Sequence, residues 1–369
     1  MNRYIHIWNL PIERVYVQFK EGFREDFFNK AYNKFNSWND LGKFLDVKRA
    51  DTTIARNWKN GTNCYPLTII FKIGKLVDIS KEEIEKNIIQ IRCKTKLDKR
   101  GGSSGKPINN PKLPIKIDKN FVEMLGHICG DGSIPTKYSK KGIKLLYVNS
   151  EPKLVESFQY LIKEIFGDIE PKIYIREGIE YGKKYNRPNY AIQYPTILSL
   201  FVLSVFDYKV GDDMNLPNFI NKLSFEEKCV FLRALYDDEG YVSIKYRLVR
   251  IGLKPYNVVK DINNLLKDIG IETKGVKKEK NIHYIRILNK NSIQLFYEKI
   301  NFKHPMKKER LEKIIKQGWC FNRFQNGVAK SKILEIMQKN DNITTKHIAN
   351  MLERSPRTIR AHLHNIQNE

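Results

Sequence analysis

Cysteine is scarce in this chain of 369 residues, which has only five, an odd number, at no spacing typical of paired metal ligands. A disulfide framework and a structural zinc site are therefore not expected. Long apolar runs are also missing, because the most apolar stretch, residues 194–206, falls short of the roughly 18 residues that a membrane span needs. The first residues lack the apolar core of a secretion signal. These absences indicate a soluble protein of the cytoplasm with no membrane association.

Acidic residues are outnumbered in this chain. There are 41 Asp and Glu residues against 66 Lys and Arg residues, which gives a formal net charge of +25. The excess runs along the whole chain, and a charge of this size attracts phosphate groups, although part of it is expected to be ordinary solvated surface. The sequence therefore predicts a nucleic-acid partner. The basic residues expected to contact it from strands and hairpins are Lys172, Arg176, Lys183, Lys184, Arg187, Lys245, Arg247 and Arg250.

Two short segments share one pattern, an apolar helix that ends in an acid followed by glycine. They are residues 124–132 (MLGHICGDG) and 232–240 (LRALYDDEG). Glycine adopts the left-handed conformation that commonly ends helices. Each segment also places a small residue, Gly126 or Ala234, on one face of its helix. We therefore expect two helices whose backbones approach each other closely.

The acids that end these helices, Asp131 and Glu239, lie 108 positions apart (239 − 131). At a helix C-terminus a carboxylate is disfavoured by roughly 0.3–1 kcal/mol, and a metal ion is the obvious compensating charge. Both segments resemble the LAGLIDADG motif of homing endonucleases, which implies that these acids bind a catalytic divalent ion, Mg²⁺. The chain departs from the motif at His127, Cys129 and Asp238, where the family has an aliphatic residue, an acid and a small residue.

The duplication extends beyond the motifs. Residues 151–167 parallel residues 254–270 at an offset of 103, and residues 198–201 parallel residues 293–296 at an offset of 95. The offset shrinks because the first copy has longer connections, as related structural units tolerate. Each copy reads as helix, two strands, helix, two strands, helix, so the sequence predicts an α+β fold.

The resemblance implies a pseudo-twofold pair of αββαββα repeats that form a saddle, the first over residues 117–217 and the second over residues 218–318. Residues 100–116, rich in Gly, Ser and Pro, are typical of a linker. It follows an N-terminal domain, residues 1–99, expected to be helical. A C-terminal domain is expected over residues 328–369.

The N-terminal domain resembles the helix-turn-helix of repressor-like proteins. Residues 37–45 and 51–61 correspond to its two helices, and residues 66–76 to the next core helix. The alternative is a small helical domain that only braces the catalytic core.

The C-terminal domain also has the sequence pattern of a helix-turn-helix, with helices predicted over residues 343–352 and 356–365. Thr344 is suited to cap the first helix. Ile359 and Leu363 are expected to face the core, because they are four positions apart on one helix. The residues then left to contact a DNA groove are Arg357, Thr358, Arg360 and His362. The alternative is a dimerisation or protein-docking domain.

The resemblance further implies a basic residue near each metal-binding acid. Lys307 is the best candidate in the second repeat, with Lys303 beside it. In the first repeat Met214 stands where some family members have lysine, so Lys209 is the candidate there. This departure favours nicking over a double cut, and for each lysine the alternative is solvated surface. Three histidines are expected to be packed or surface residues, namely His127, His283 and His304.

The sequence therefore predicts a monomeric, site-specific endonuclease that cuts double-stranded DNA by Mg²⁺-dependent phosphodiester hydrolysis, as in intron homing. Two metal ions that activate water and stabilise the leaving group are the usual solution for this chemistry. Two alternatives stay open. One is a maturase that binds intron RNA and needs neither acid, and the other is a transcription regulator that binds DNA on this scaffold without cutting it.

Overall fold

The computed structural model describes residues 3–93, 105–134, 143–176, 179–180, 183–184, 188–206, 214–316, 328–339, 343–352 and 356–367. The chain divides into two compact units, Met1–Ile314 and Ile315–Glu369. No helix in the described ranges is both long and apolar enough to cross a membrane.

The N-terminal region contains strands as well as helices, so the expectation of a purely helical domain needs correction. Its helices are α1 (Glu21–Asn33), α2 (Trp38–Leu45), α3 (Leu67–Leu76) and α4 (Lys81–Lys86), with 3₁₀ turns at Ile7–Asn9 and Ile12–Arg14 and a π-helix at Asp51–Trp58. Its strands are β1 (Tyr4–Ile5), β2 (Val15–Phe19), β3 (Tyr65–Pro66) and β4 (Ile88–Cys93). Every second side chain of β2 is buried, which is the period of a strand that covers a core.

Helices stand at the positions predicted for the N-terminal helix pair. Ser37 caps α2 by accepting a hydrogen bond from the backbone N–H of Asp40, and Asp46 ends it in a left-handed conformation (φ 56°). Ala50, the N-cap residue of the π-helix, packs on α2 so closely that an ideal Cβ on Gly42 would lie 2.4 Å from Ala50 Cβ. DNA contact by this pair stays a prediction.

Residues 105–116, expected to belong to a linker, pair in two sheets. Strand β5 (Ile108–Asn109) lies between β4 and β9 (Asp168–Ile169), in a sheet of order β3-β2-β4-β5-β9. Strand β6 (Ile115–Lys116) pairs with β1. The side chains of Ile108 and Ile115 are buried. This segment therefore joins the N-terminal region to the first repeat through hydrogen bonds and core contacts.

Two repeats of the same topology follow. The first contains α5 (Lys119–Cys129), β7 (Gly132–Ser133), β8 (Leu146–Asn149), α6 (Pro152–Phe166), β9, β10 (Lys172–Arg176), β11 (Ile179–Glu180), β12 (Lys183–Lys184), β13 (Asn189–Gln193) and α7 (Thr196–Val205). After a 3₁₀ turn at Ile220–Lys222, the second contains α8 (Phe225–Glu239), β14 (Gly240–Ser243), β15 (Leu248–Leu253), α9 (Tyr256–Asp268), β16 (Lys277–Glu279), β17 (Ile282–Ile287), α10 (Lys290–Lys299) and α11 (Pro305–Lys316).

The sheets of the two repeats are antiparallel and have equivalent strand orders, β7-β8-β13-β10 and β14-β15-β17-β16. The α+β class and the repeated αββαββα pattern are therefore confirmed. The first repeat has an additional hairpin, β11–β12, between its third and fourth sheet strands. The first and second motif helices are α5 and α8. They pack against each other, and every residue of α5 from Phe121 to Cys129 is buried.

The smaller unit has three helices in its described part, α12 (Val328–Gln338), α13 (Thr345–Met351) and α14 (Pro356–Gln367). Thr344 caps α13 by accepting a hydrogen bond from the backbone N–H of His347. Ile359 of α14 is buried against Ile333 and Ile348, and Leu363 packs on the same cluster. The core-facing positions predicted for α14 are therefore correct.

Candidate active site

The two motif helices cross at their small residues. An ideal Cβ on Gly126 would lie 2.6 Å from the carbonyl oxygen of Phe231 and 2.7 Å from Ala234 Cβ. Separations this short are sterically forbidden, so glycine is required at this position for α5 and α8 to approach as they do. The close approach predicted from the two small residues is confirmed.

The crossing brings the C-terminal ends of both helices together, and with them Asp131 and Glu239. Burial raises the pKa of Asp131 to about 8, and the negative charges of Asp238 and Glu239 add to the effect. Burial, followed by the charge of Asp238, also raises the pKa of Glu239. The sequence-predicted acids thus lie in one electrostatic cluster, together with a third carboxylate.

Lys307, at the start of α11, lies inside this cluster. Its Nζ donates to the backbone carbonyl oxygens of Tyr236 (3.2 Å), Asp237 (2.5 Å) and Asp238 (2.9 Å) at the end of α8. Burial lowers the pKa of Lys307, while the surrounding carboxylates oppose that shift. Its ammonium group in turn opposes the raised pKa of Asp131. Lys307 therefore caps the second motif helix and supplies a positive charge beside the acids.

Lys303 lies elsewhere. Its side chain forms an ion pair with Glu123 of α5. Its backbone N–H, like that of His304, donates to the carboxylate of Asp237 at 2.9 Å. Asp237 therefore fixes the segment that leads into α11, and so fixes where Lys307 stands.

A buried polar network joins Asp131 to both repeats. Asn149 Nδ2 donates to Asp131 Oδ2 at 2.7 Å and to Asp238 Oδ1 at 3.3 Å. The Tyr147 hydroxyl donates to Asp238 Oδ1 at 2.9 Å. His127 Nδ1 lies 3.1 Å from Asp238 Oδ2. Asp238 and His127 were recognised in the sequence only as departures from the motif, and Asn149 was not recognised at all.

His127 is fully buried, as expected of a packed histidine. Burial disfavours its charged form, but the charge of Asp238 and their hydrogen bond outweigh burial and raise the pKa of His127. His127 is therefore a hydrogen-bond partner for the buried carboxylate of Asp238. The other two histidines differ, because His283 Nδ1 bonds the carbonyl oxygen of Lys254 and His304 is half-buried near Lys307.

Glu239 borders a cavity of about 540 Å³. Lys254 also lines the cavity. Its apolar lining is formed by Ile128, Cys129, Ile134, Met214, Leu253 and Ile282. Met214, expected in the half-site of the first motif, lines this cavity together with Gly130 and Gly132 of that motif and with Glu239 of the second, so its assignment to the first half-site stays a prediction. Lys209, the proposed substitute, lies outside the described residues.

The candidate DNA-contacting residues of the two repeats differ in how exposed their side chains are and in whether the structure describes them. Lys172 and Lys245 have exposed side chains and Arg247 is half-buried. Arg250 is engaged within its sheet, since its guanidinium bonds Glu279 at 2.9 Å and lies 4.1 Å from the ring centre of Tyr284. For three residues, Arg176, Lys183 and Lys184, the structure describes the strand but not the side chain, and Arg187 lies outside the described residues.

The candidates in the C-terminal helix α14 are similarly divided. Thr358 and Arg360 are exposed, and His362 is half-buried. The side chain of Arg357 lies outside the described residues. Contact of α14 with DNA stays a prediction.

Residues 226–301 match the family model of the LAGLIDADG-like domain. The chain contains a LAGLIDADG-like domain. The match falls within the second repeat, and the first repeat has the equivalent strand order. The resemblance that the two motifs carried is confirmed.

Curated relatives share a limited part of their length with this chain. It is 26% identical over 279 residues to a glutamine–fructose-6-phosphate aminotransferase of Methanocaldococcus jannaschii, covering 72% of this chain and 24% of the relative. It is 26% identical over 206 residues to the replicative DNA helicase DnaB of Nostoc sp., covering 52% of this chain and 23% of the relative. The chain thus spans about a quarter of each relative, and the activities in their names do not follow for it.

Two solved structures are also similar. I-DmoI in complex with DNA and Mn is 18% identical with a TM-score of 0.36, over 49% of this chain and 96% of I-DmoI. The N-terminal LAGLIDADG domain of WhiA is 18% identical with a TM-score of 0.37, over 55% of this chain and 90% of that domain. At these TM-scores neither structure assigns a function to this chain.

Proposed function

We propose that this protein is a metal-dependent DNA endonuclease whose reaction centre contains Asp131 and Glu239. The observation that carries the proposal is that the acids of two motifs, 108 positions apart (239 − 131), lie in one cluster at the ends of the motif helices. The ammonium group of Lys307 donates to the end of α8 and its charge acts on Asp131. Ending two helices does not require a cluster of acids. Burial and neighbouring negative charge disfavour the ionised form of each acid, so the cluster destabilises the folded state unless it has another role.

The donor set fits a hard divalent ion. Among the described residues no group of three or more His, Cys, Asp and Glu side chains forms a closed metal cage. That agrees with Mg²⁺, which is usually held by one or two carboxylates together with substrate phosphates. Asp131 and Glu239 would hold it, and the burial and neighbouring carboxylates that raise their pKa values would favour a positive charge there. When bound, the ion would make water more acidic and stabilise the leaving oxygen.

The chain's own groups have distinct parts in this proposal. Lys307 is anchored by three carbonyl oxygens, so its charge is held in place to stabilise the negative charge that develops on a scissile phosphate. The cavity beside Glu239 contains Met214 where the family resemblance implies a lysine in some members, and Lys254 is the basic residue that lines it. Because Met214 adds no charge there, we propose that the two DNA strands are cut at unequal rates.

Duplex DNA is the proposed substrate because the chain has a net charge of +25 and exposed lysines such as Lys172 and Lys245 on or beside its two repeat sheets. A second function, DNA binding without cleavage, is supported by the described part of the smaller unit, where α13 and α14 lie at the positions predicted for a helix-turn-helix and pack on one apolar cluster.

The test is to incubate the full-length protein with long random-sequence duplex DNA and Mg²⁺ and to sequence the new ends. Cuts that concentrate at one sequence, vanish with a chelator and are lost in Asp131→Asn support the proposal. A matched control is Asp261→Asn, an acid on α9 that lines a different cavity, which should cut as the parent does. Tight duplex binding with no cuts in the parent would favour the regulator instead.

A further inference from the structure

The network behind Asp131 is asymmetric between the repeats. Gly132 of β7 pairs with Tyr147 of β8, and Gly240 of β14 pairs with Ile251 of β15. Tyr147 and Ile251 are therefore equivalent, and the residues two positions after them, Asn149 in the first repeat and Leu253 in the second, are equivalent as well. The first repeat thus has an amide facing its motif acid, and the second has an aliphatic side chain in the cavity beside Glu239.

Asp238 extends this asymmetry. Its counterpart in the first motif is Gly130, and an ideal Cβ on Gly130 would lie 2.6 Å from Asp238 Cβ. Space at the helix ends therefore admits a carboxylate from one motif only. That carboxylate belongs to the second motif in sequence, but its partners Tyr147, Asn149 and His127 all belong to the first repeat.

We propose that Asn149 is a positioning residue for Asp131, and that Asp238, held by His127 and Tyr147, orients Asn149 for this role in the Asp131 half-site alone. The proposal rests on the proposed endonuclease function. The single amide nitrogen of Asn149 donates to the carboxylates of Asp131 and Asp238. When Asp238 is held in place, its hydrogen bond therefore orients the amide toward Asp131 Oδ2. Asp238 is in turn immobilised, because its side chain is fully buried and has hydrogen-bond partners from three side chains.

The consequence is a difference in metal binding between the half-sites. Hydrogen-bond partners of metal-binding carboxylates typically contribute about 10–100-fold to metal affinity or activity. Loss of the Asn149 amide should weaken a metal bound at Asp131 by about tenfold or more and leave the Glu239 side unchanged. A merely structural role for Asn149 would instead lower the free energy of unfolding and affect both half-sites equally.

The experiment is a Mn²⁺ titration of the full-length protein, followed by electron paramagnetic resonance, with unfolding by urea measured in parallel. The variants are Asn149→Leu, which copies the second repeat, and Asn149→Ser, which loses less volume and replaces Leu if that variant does not fold. Asn257→Leu, at an exposed position on α9, is the matched control. Asp131→Asn defines the signal of the Asp131 site.

The expected result is that Asp131→Asn abolishes one Mn²⁺ site, and that the Asn149 variants weaken that same site by about tenfold or more without weakening the other. If Asp131→Asn removes a site but the Asn149 variants titrate as the parent does, this inference is wrong and the endonuclease proposal stands. If Asp131→Asn itself titrates as the parent does, the metal assignment fails, and the role of Asn149 fails with it.

Discussion

Gly126 of the first motif helix faces Ala234 of the second so directly that an added Cβ would stand 2.7 Å from the Cβ of Ala234. The absence of a side chain on Gly126 lets α5 and α8 approach closely at this point, with Asp131 just beyond the end of α5 and Glu239 at the end of α8. A methyl group here would also lie 2.6 Å from the Phe231 carbonyl oxygen, which the backbone of α8 holds in place.

We predict that Gly126→Ala lowers the free energy of unfolding by about 1–3 kcal/mol, because overpacking in a close-packed core has that cost. Gly22→Ala is the control, since an added Cβ on Gly22 in α1 meets nothing within 4 Å and alanine favours the helix. Urea unfolding measures both. An unchanged urea midpoint for Gly126→Ala would mean that α5 and α8 can move apart without a loss of stability.

Replacing Lys307 with methionine should reduce cleavage by about 10²–10³-fold, because one anchored positive charge would be lost from beside the acids. The control is Lys303→Met, which removes an ammonium paired with Glu123 instead. Single-turnover cleavage of bound DNA measures the effect. Equal rates for Lys307→Met and the parent would show that Lys307 is only a helix cap.

The pH dependence of stability follows from Asp131. Its folded-state pKa is raised by burial from 3.8 to about 8, so between these values the folded state binds more protons than the unfolded state. Its contribution therefore makes the free energy of unfolding fall as pH rises from about 4 to 8. In metal-free buffer, Asp131→Asn should have a flatter profile than the parent over this window. Parallel profiles would mean that Asp131 is not buried among like charges.

The apolar side of the site predicts unequal strand cleavage. A nicked intermediate should accumulate on supercoiled plasmid, and Met214→Lys should speed the slower strand by about tenfold, because a positive charge near Glu239 favours an ionised water. Met337→Lys adds the same charge at an exposed position on α12 and should change neither rate. Cutting of both strands at the same rate by the parent would mean that a basic group already favours an ionised water near Glu239.

Salt dependence tests the DNA-binding role of the smaller unit. The logarithm of affinity should fall linearly with the logarithm of salt concentration, with a slope of about −0.9 for each phosphate neutralised. Removal of residues 328–369 should make this slope shallower, whereas Asp131→Asn should leave it unchanged. Fluorescence anisotropy on duplex DNA measures both. An unaltered slope after truncation would assign the unit to a protein partner.

The sequence was informative where the signal is local or duplicated. Gly126 and Ala234 indicated the helix crossing because small residues and helix ends recur in both copies, and Ile359 and Leu363 revealed the core face of α14 by their spacing. The resemblance, and not the residue pattern alone, singled out Lys307.

Long-range geometry was beyond what one sequence shows. Asn149 reaches Asp238 across 89 positions, through strand pairings that leave no periodic trace. Strands of two residues such as β5 and β6 carry no alternation, so their segment read as a linker. Met214 lines one cavity with Gly130 of the first motif and Glu239 of the second, a proximity that the order of these residues along the chain does not reveal.

The most direct measurement is strand-resolved cleavage of the selected DNA target, with a different dye on each strand, by the parent, Asp131→Asn and Glu239→Gln. We expect that the parent cuts both strands in Mg²⁺ at unequal rates, that Asp131→Asn loses the faster cut, and that both variants bind the target as the parent does. Cleavage by both variants at the parent's rates would contradict this expectation.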